Sequence, residues 1–315
     1  MSPASVVPIA SLATPCPIPY QGSKRKLAAA ILSYCPDDVD TLFEPFAGSA
    51  AISLAAAASG RAKHFVIADL LASLSDIWHL ILQNPARLAD GYESLWQSQL
   101  PDPAVTFNRI RDEFNRDGDP AKLLYLVARC VKNAIRFNPR GQFNQSPDHR
   151  RLGMKPSRMR REIFEAHELL CDRTSVQAAD YSEVLKEVSD NDLVYMDPPY
   201  QGVSTSKDPR YAKPLNIHTF EAELRKLNGI NASYMVSFDG QCGTKTYGRE
   251  LAADLRLCRI QLLAGRSSQA SLLGRSDVTI ESLYLSPALL NRLRKSKGNI
   301  TTPEHDQLLL LEGYG

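Results

Sequence analysis

Short apolar runs that end in an acidic residue recur along this chain of 315 residues. Alternation of such buried runs with helical segments is typical of a parallel sheet with helices on both faces. We therefore predict an α/β fold, in which ligands bind beyond the carboxyl ends of the strands. The predicted strands are residues 41–44, 64–68 before Asp69, 175–179 before Asp180, 193–196 before Asp197, 234–238 before Asp239, and two later runs, 257–263 and 278–285.

About a hundred residues separate the second and third predicted strands, far more than an ordinary α/β connection needs. Within this insertion the apolar spacing predicts helices over residues 107–115, 122–134 and 156–170, with a polar loop at 137–155. We therefore predict a second, helical domain at residues 84–172, inserted into a catalytic domain formed by residues 17–83 and 173–285.

The insertion carries an unusual concentration of positive charge. Residues 129–161 hold ten Lys or Arg and one acid, Asp148, although the net charge of the whole chain is only +2. Basic side chains engage phosphates, and Asn, Gln and Arg read base edges, so the segment is predicted to bind nucleic acid. The alternative is a surface that acids from elsewhere balance. The candidate contacts are Lys132, Asn133, Arg136, Asn138, Arg140, Asn144, Arg150 and Arg151.

The sequence Asp197-Pro198-Pro199-Tyr200 follows the fourth predicted strand. A carboxylate and a carbonyl accept hydrogen bonds from an amino group, and an aromatic ring stacks on a flat base. Because neither proline has an N–H, the turn is stiff and its carbonyls are free to face a ligand. This combination suits methylation of an exocyclic amine on a nucleobase, although the same letters also open ordinary turns.

Gly48 follows the first predicted strand and opens a helix, which lets a cofactor approach the backbone. Asp69 lies 21 residues later at the end of the next strand, where an acid can bind ribose hydroxyls or cap a helix. No G-x-G-x-x-G fingerprint is present. S-adenosylmethionine therefore fits better than a dinucleotide. Ser23 is predicted to cap a helix over residues 25–34, with Lys24 either on its surface or directed at the cofactor.

Composition narrows the class of protein. The six cysteines show no C-x-x-C spacing and the six histidines form no cluster, so no metal site is predicted. No apolar stretch reaches transmembrane length and no signal peptide is recognised, so a reducing cytoplasmic location without membrane contact is expected. Residues 1–16 are predicted to be a flexible tail, and residues 286–315 a C-terminal extension.

Several ordered motifs together resemble the Dam-type, alpha-group N6-adenine DNA methyltransferases. They are Pro19 to Lys24, Phe43 to Ala50, Asp69, the spacing R-x-N-x-x-G-x-F-N from Arg136 to Asn144, Asp180, and Asp197 to Tyr200. The resemblance covers residues 17–285. Ala50 stands where many members have a second glycine, and Ala68 where Asn is common.

This resemblance implies a Rossmann-like S-adenosylmethionine-dependent methyltransferase sheet with a target-recognition insertion. Tyr20, Lys24, Phe46, Gly48, Asp69 and Asp197 would bind or border the cofactor, and Asp180 would lie near its adenine ring. Asp197 and the Pro198 carbonyl would hold the target amine, while Tyr200 would stack on the flipped adenine. A hairpin around residues 137–152 would enter a groove of the DNA.

The function implied is site-specific N6-adenine methylation of double-stranded DNA, in a restriction-modification, defence or mobile-element context. Restriction or defence-system subunits are candidate partners. Alternatives are an N4-cytosine DNA methyltransferase, for which Asp197 is the less usual first residue, and a catalytically silent DNA-binding specificity subunit. An RNA or protein-glutamine methyltransferase is a further alternative.

Overall fold

A nine-stranded sheet forms the centre of the computed structural model, which describes residues 14–199, 215–242, 245–266, 278–297 and 308–309. The strand order is β3-β2-β1-β4-β5-β8-β7-β9, with β6 paired to β5. The strands are β1 Val39–Glu44, β2 Ala62–Asp69, β3 Thr174–Ala178, β4 Leu193–Met196, β5 Ser233–Cys242, β6 Lys245–Tyr247, β7 Cys258–Arg266, β8 Val278–Leu285 and β9 Leu308–Leu309.

The first five strands in chain order are parallel, as the sequence predicts, and β8 lies antiparallel between β5 and β7. From β1 the chain moves outward through β2 and β3, and then returns to the other side of β1 as β4. The carboxyl ends of β1 and β4 therefore flank the point where the strand order reverses. In open α/β sheets this point is the usual ligand crevice.

Strand β5 does not end at Asp239 as expected but continues to Cys242. The pairing with β8 shifts between Ser237 and Gly240, and Asp239 has a left-handed φ of 56°. The buried Asp239 carboxylate accepts hydrogen bonds from Arg259, Ser282 and Tyr284. These bonds hold Asp239 inside the sheet, so it is not part of a ligand-facing rim.

Ten helices surround the sheet in the described residues. They are α1 Ala28–Leu32, α2 Ala51–Ala58, α3 Ala72–Gln83, α4 Pro85–Ser98, α5 Pro103–Asp117, α6 Pro120–Arg129, α7 Pro156–Leu170, α8 Tyr181–Val184, α9 Ile217–Gly229 and α10 Pro287–Lys297. None of these is long and apolar enough to cross a bilayer. Helices α4, α5 and α6 each start with Pro, preceded by a capping side chain of Asn84, Asp102 or Asp119 that accepts from the first turn.

Two predicted helices differ from the structure. The helix expected over residues 122–134 ends at Arg129, because Cys130 is extended and Lys132 and Asn133 both have positive φ. The helix expected over residues 25–34 is a short 3₁₀ turn, Lys24–Lys26, followed by α1. The Ser23 side chain makes no capping bond. The predicted helix over residues 156–170 is confirmed as α7.

The two faces of the sheet bury separate hydrophobic clusters, as the alternation of side chains along a strand requires. Leu42 and Phe65 join the first cluster, which also contains the apolar faces of α4 to α7. Phe43 and Val66, one residue further along each strand, join the second cluster with α9. Because the insertion helices and the sheet share one cluster, packing fixes the position of the insertion against the sheet.

Part of the chain after residue 285 also belongs to this core, as helix α10 shows. Leu289 and Leu293 of α10 are buried in the first cluster. Arg292 donates to the Asp38 carboxylate and to the carbonyl of Asp192. Strand β9 pairs in parallel with β7. The described part of the predicted C-terminal extension is therefore packed on the sheet.

The shared core predicts that the insertion and the sheet unfold together. Leu124 of α6 is fully buried in the first cluster, so Leu124→Ala is expected to lower the free energy of unfolding by about 2–5 kcal/mol. Leu100→Ala is the matched control, because Leu100 is 50% exposed, and its effect is expected to be about 0.5 kcal/mol. Circular dichroism and tryptophan fluorescence should follow one urea transition in all three proteins. Two separated transitions would contradict the shared core.

Candidate active site

A cavity of about 860 Å³ lies at the carboxyl ends of β1, β2 and β4. The residues expected there from the sequence converge on it from segments that are far apart along the chain. Tyr200 lies outside the described residues. The predicted site residues that line the cavity are Tyr20, Lys24, Phe46, Gly48, Asp69, Asp180, Asp197 and Pro198.

The Lys24 ammonium contacts the Asp197 carboxylate at the carboxyl end of β4. Its Nζ lies 2.8 Å from Oδ1 and 2.7 Å from Oδ2 of Asp197. A second carboxylate, Glu281 on β8, has an oxygen 3.5 Å from the same Nζ. Burial by itself would lower the pKa of Lys24, but Asp197 and Glu281 outweigh it and raise that pKa above its usual range. Lys24 therefore stays charged and holds the Asp197 carboxylate in place.

Sequence reasoning did not single out Glu281, although a signal was present. Leu283 and Leu285 alternate along β8 and are buried in the first core cluster, while Tyr284 is in the second. Glu281 has the same register as the two leucines, so its side chain lies on the face of the sheet that Lys24 covers. Acidic side chains are rarely buried unless they are paired, so an acid at an apolar register position indicates a buried partner of opposite charge.

The loop after β1 is shaped around Gly48, which has a left-handed φ of 50°. Its N–H donates to Asp69 at 3.0 Å, and its carbonyl accepts from the Trp78 indole at 3.1 Å. A Cβ at this position would lie 3.2 Å from the Tyr20 ring. The Ser49 hydroxyl donates to Ser23 at 2.9 Å and ties the loop to the turn that carries Lys24. Glycine is therefore required both by the backbone conformation and by the ring above it.

Asp69 and Asp180 line the cavity and also organise its backbone. One Asp69 oxygen accepts from Gly48 and the other from the N–H of Leu71. Burial raises the pKa of Asp69, and these two bonds partly oppose that rise. Asp180 caps α8 by accepting from the N–H and hydroxyl of Ser182. A carboxylate has about four lone-pair sites, so both acids retain acceptor capacity for a ligand.

Aromatic rings form one wall of the cavity. The Phe46 ring stacks on Tyr181 with a centroid distance of 5.1 Å and meets Phe220 edge-on at 6.2 Å. Tyr181 meets Phe220 at 5.6 Å. Both Phe46 and Tyr181 line the cavity. A wall of this kind offers a flat apolar surface to a planar ring.

Glu44 at the end of β1 is buried and lines the cavity. Its carboxylate accepts from the N–H of Ser53 at 2.8 Å and from the Ser53 hydroxyl at 2.6 Å, which anchors α2. Burial raises the pKa of Glu44 to about 7, against the opposing effect of these hydrogen bonds. Sequence reasoning placed Glu44 in a motif and assigned it no role.

The segment after α6 is a two-stranded ribbon, residues 130–148, in place of a helix followed by an open loop. Cys130 bridges Pro147 and Phe137 bridges Phe143, and the chain turns back between Asn138 and Gln142. The Asn138 side chain accepts from the N–H groups of Arg140 and Gln142. A hairpin is therefore present, but it spans residues 130–148 with its tip at residues 138–141, and not residues 137–152 as predicted.

Helix α5 holds this ribbon. The Asn115 side chain accepts from the N–H of Phe143 and donates to the carbonyl of the same residue. Phe114 packs against Phe137 and Phe143. The base of the ribbon reaches the cavity, because Arg136 and Phe137 line it and the N–H of Gln21 donates to the carbonyl of Asn133. The ribbon and the cavity are therefore continuous.

The eight nucleic-acid candidates divide into three groups. Lys132, Arg140 and Asn144 are exposed on the ribbon. Arg150 and Arg151 are exposed but pair with the buried Asp148, and their hydrogen bonds hold the pKa of its carboxyl below the usual range. The third group has local roles: Asn133 donates to the carbonyl of Val127, Asn138 shapes the turn, and Arg136 faces the cavity.

Acids outside residues 129–161 neutralise part of the net charge of +9 that this segment carries. Arg160 pairs with Asp90 and Glu93 on α4, and Arg158 and Arg161 pair with Glu162. Arg129 is buried and donates to the Asp148 carbonyl. The alternative of a balanced surface therefore holds for Arg158, Arg160 and Arg161, whereas Lys132 and Arg140 on the ribbon are exposed.

Two arginines that sequence reasoning missed extend the ribbon surface. Arg111 and Arg116 of α5 line a second cavity of about 510 Å³ between that helix and the ribbon, together with Asn138 and Asn144. Arg116 is exposed. Both precede the basic segment in sequence, so charge counting over residues 129–161 does not include them.

The sheet order, the cavity at the strand reversal and the acid-proline turn are consistent with an α/β methyltransferase fold. Residues 20–251 match the D12 class N6 adenine-specific DNA methyltransferase family, and the chain belongs to that family. The predicted resemblance is thereby confirmed.

Similar proteins include the Type II methyltransferase M1.LlaDCHI of Lactococcus lactis subsp. cremoris, with 26% identity over 192 residues, 58% of this chain and 64% of the relative. The DNA adenine methylase of Serratia marcescens is 24% identical over 59% of this chain and 67% of its own length. That of Escherichia coli (strain K12) is 24% identical over 59% and 65%. The chain thus spans about two thirds of the length of these relatives.

Glu44 predicts a pH dependence of stability. Its pKa is about 7 in the folded protein and 4.5 in its ordinary state, so the folded chain holds this proton to higher pH. Ionisation of Glu44 therefore opposes folding as the pH rises from about 4.5 to about 7. Across that pH window the free energy of unfolding of the wild type should fall by about 3 kcal/mol relative to that of Glu44→Gln. Urea unfolding at several pH values measures the difference.

The exposed Glu165 on α7 supplies the control, since Glu165→Gln should follow the wild type at every pH. If the stability difference between Glu44→Gln and the wild type is the same at pH 5 and pH 8, the assigned pKa of Glu44 is wrong.

Proposed function

We propose that this protein transfers a methyl group from S-adenosylmethionine to the N6 amine of an adenine extruded from double-stranded DNA. The observation that carries the proposal is the convergence of Lys24, Asp197 and Pro198 with Gly48 and Asp69 on one cavity. Membership of the adenine-specific family supports adenine as the base.

The residues of the cavity suit S-adenosylmethionine. The cavity's volume of about 860 Å³ lies in the range of small-molecule sites. The Tyr20 ring packs against Gly48 at the edge of the cavity, and Asp69 has acceptor capacity for ribose hydroxyls. Phe46 and Tyr181 offer a flat wall to an adenine ring, with Asp180 beside them. The cofactor, when bound, supplies an activated methyl group on a cationic sulfur.

The chain's own residues would align the amine. An exocyclic N6 lone pair is delocalised into the ring and is a poor nucleophile. The Asp197 carboxylate and the Pro198 carbonyl would accept its two hydrogens, which directs the lone pair at the methyl group. The carboxylate also stabilises the positive charge that develops on nitrogen. Lys24 pairs with the Asp197 carboxylate and holds it in place. The stacking role of Tyr200 stays a prediction from the sequence.

The ribbon, residues 130–148, would contact the DNA. An exocyclic amine in a duplex is inaccessible, so the base must leave the stack to reach the cavity. Lys132 and Arg140 on the ribbon, with Arg116 on α5, would bind phosphates on either side of the extruded base. Asn144, Arg150 and Arg151 complete the proposed surface. We treat residues 84–172 as the target-recognition region on the same grounds.

Restriction-modification is the context we favour, because the relatives include a protein named as a Type II methyltransferase. Restriction or defence-system subunits and a cytoplasmic location stay predictions. N4-cytosine methylation uses the same amine chemistry, and identification of the methylated base distinguishes it from adenine methylation.

Asp197→Asn tests the catalytic assignment. It keeps the side chain's shape but removes its charge, and we expect methyl transfer to duplex DNA to fall by a factor of about 10²–10³. The measurement is incorporation of tritiated methyl from S-adenosylmethionine, with mass spectrometry of digested DNA to identify N6-methyladenine. Asp190→Asn, on the exposed turn before β4, is the control and should retain full activity. Near wild-type transfer by Asp197→Asn would overturn the assignment.

Arg140→Ala and Arg116→Ala test the DNA surface. Each should weaken binding to duplex DNA several-fold and reduce the salt dependence of the binding constant by about one counterion. Arg225→Ala is the control, because Arg225 lies in the second half of α9, away from the cavity, and pairs with Asp254. Fluorescence anisotropy over a sodium chloride series gives both quantities, and calorimetry should show unchanged cofactor affinity. DNA affinity equal to that of the control would remove the surface from the proposal.

A further inference from the structure

Glu281 is a charged residue of the cavity that lies outside the sequence motifs and has no part in the proposed chemistry. It lies on β8, about eighty residues after Asp197, and lines the same cavity. Its carboxylate oxygen is 3.5 Å from Lys24 Nζ, while both Asp197 oxygens lie within 2.8 Å of that nitrogen. Two carboxylates thus share one buried ammonium.

Sharing changes what Asp197 can do. An ammonium that bonds both oxygens of one carboxylate withdraws negative charge from it and weakens it as an acceptor. A second carboxylate near the same ammonium competes for the same protons and returns acceptor strength to Asp197. The side chain of Glu281 is only 20% exposed, so water screens this competition weakly.

The site handles two sulfur species that differ by one charge. On the proposed function, the donor is a cationic sulfonium and the product left after transfer is a neutral thioether. The transferred methyl group must lie beside the amine that Asp197 holds, so the sulfur lies within range of this charge cluster. A negative charge there stabilises the sulfonium more than the thioether.

We propose that Glu281 is a positioning residue that shares Lys24 with Asp197 and makes the cavity prefer the cationic methyl donor over the neutral demethylated product. Removal of its charge makes the potential at the sulfur more positive, whatever the other partners of the cluster. Loss of this charge should therefore weaken the binding of the methyl donor but not that of the demethylated product. This inference rests on the proposed function, because it needs S-adenosylmethionine as the ligand.

The test is calorimetric binding of S-adenosylmethionine and of S-adenosylhomocysteine to the full chain, without DNA. Glu281→Gln keeps the side chain's shape and its ability to accept from Lys24. We expect it to reduce the affinity for the donor about tenfold, or ~1.4 kcal/mol, and to change the affinity for the product less than about twofold. Glu281→Asp keeps the charge and should preserve the ratio of the two affinities within about threefold. Glu165→Gln is the control for an acid lost from the surface.

The outcomes separate the two proposals. A wild-type protein that binds neither ligand overturns the proposed function. If the wild type binds both, and Glu281→Gln leaves the ratio unchanged or weakens both ligands equally, the role of Glu281 is overturned while the proposed function stands. If Glu281→Asp also loses the preference for the donor over the product, a role based on charge is overturned. Thermal unfolding of each variant confirms that the compared proteins are folded.

Discussion

The buried ion pair between Lys24 and Asp197 is the interaction on which the site depends. A lone ammonium placed in a protein interior is strongly unfavourable, so Lys24 is stable there only with its carboxylates in contact. Those carboxylates come from the end of β4 and from β8, and the lysine comes from a turn before β1. The pair therefore fixes three distant segments around the point where a reactive amine is proposed to lie.

The sheet decides where that pair forms. Because β4 returns to the free side of β1, the turns that follow these two strands meet at the reversal of strand order. Gly48 and Asp69 reach the crevice from β1 and β2, and Asp197 from β4. The insertion shares the core of the sheet, and its ribbon touches the turn beside Lys24 through the Gln21–Asn133 bond. The proposed DNA-reading surface and the proposed chemical site thus hold one relative position.

Charge counting along the chain identified a basic region but not which of its side chains are available. Asp148 is a neighbour in sequence, yet its buried position and its bonds to Arg129, Arg150 and Arg151 are properties of the folded ribbon. The partners of Arg160 come from a helix about seventy residues earlier. Ion pairs between segments do not leave a local pattern, whereas helix caps and strand periods do. This is why the pairing of Arg160 could not be predicted from the sequence.

Local patterns alone determined the α/β class, most strand positions, helix α7 and the identity of the motif residues, because each depends on neighbours within a few positions. They also placed the acid-proline turn at a strand end. Tertiary structure alone decided that Asp239 is bound within the sheet and that Asp180 both caps a helix and lines the cavity. It also brought Glu281 to Lys24. That contact joins residues 257 positions apart, and only the pairing of β8 with β5 brings them within reach.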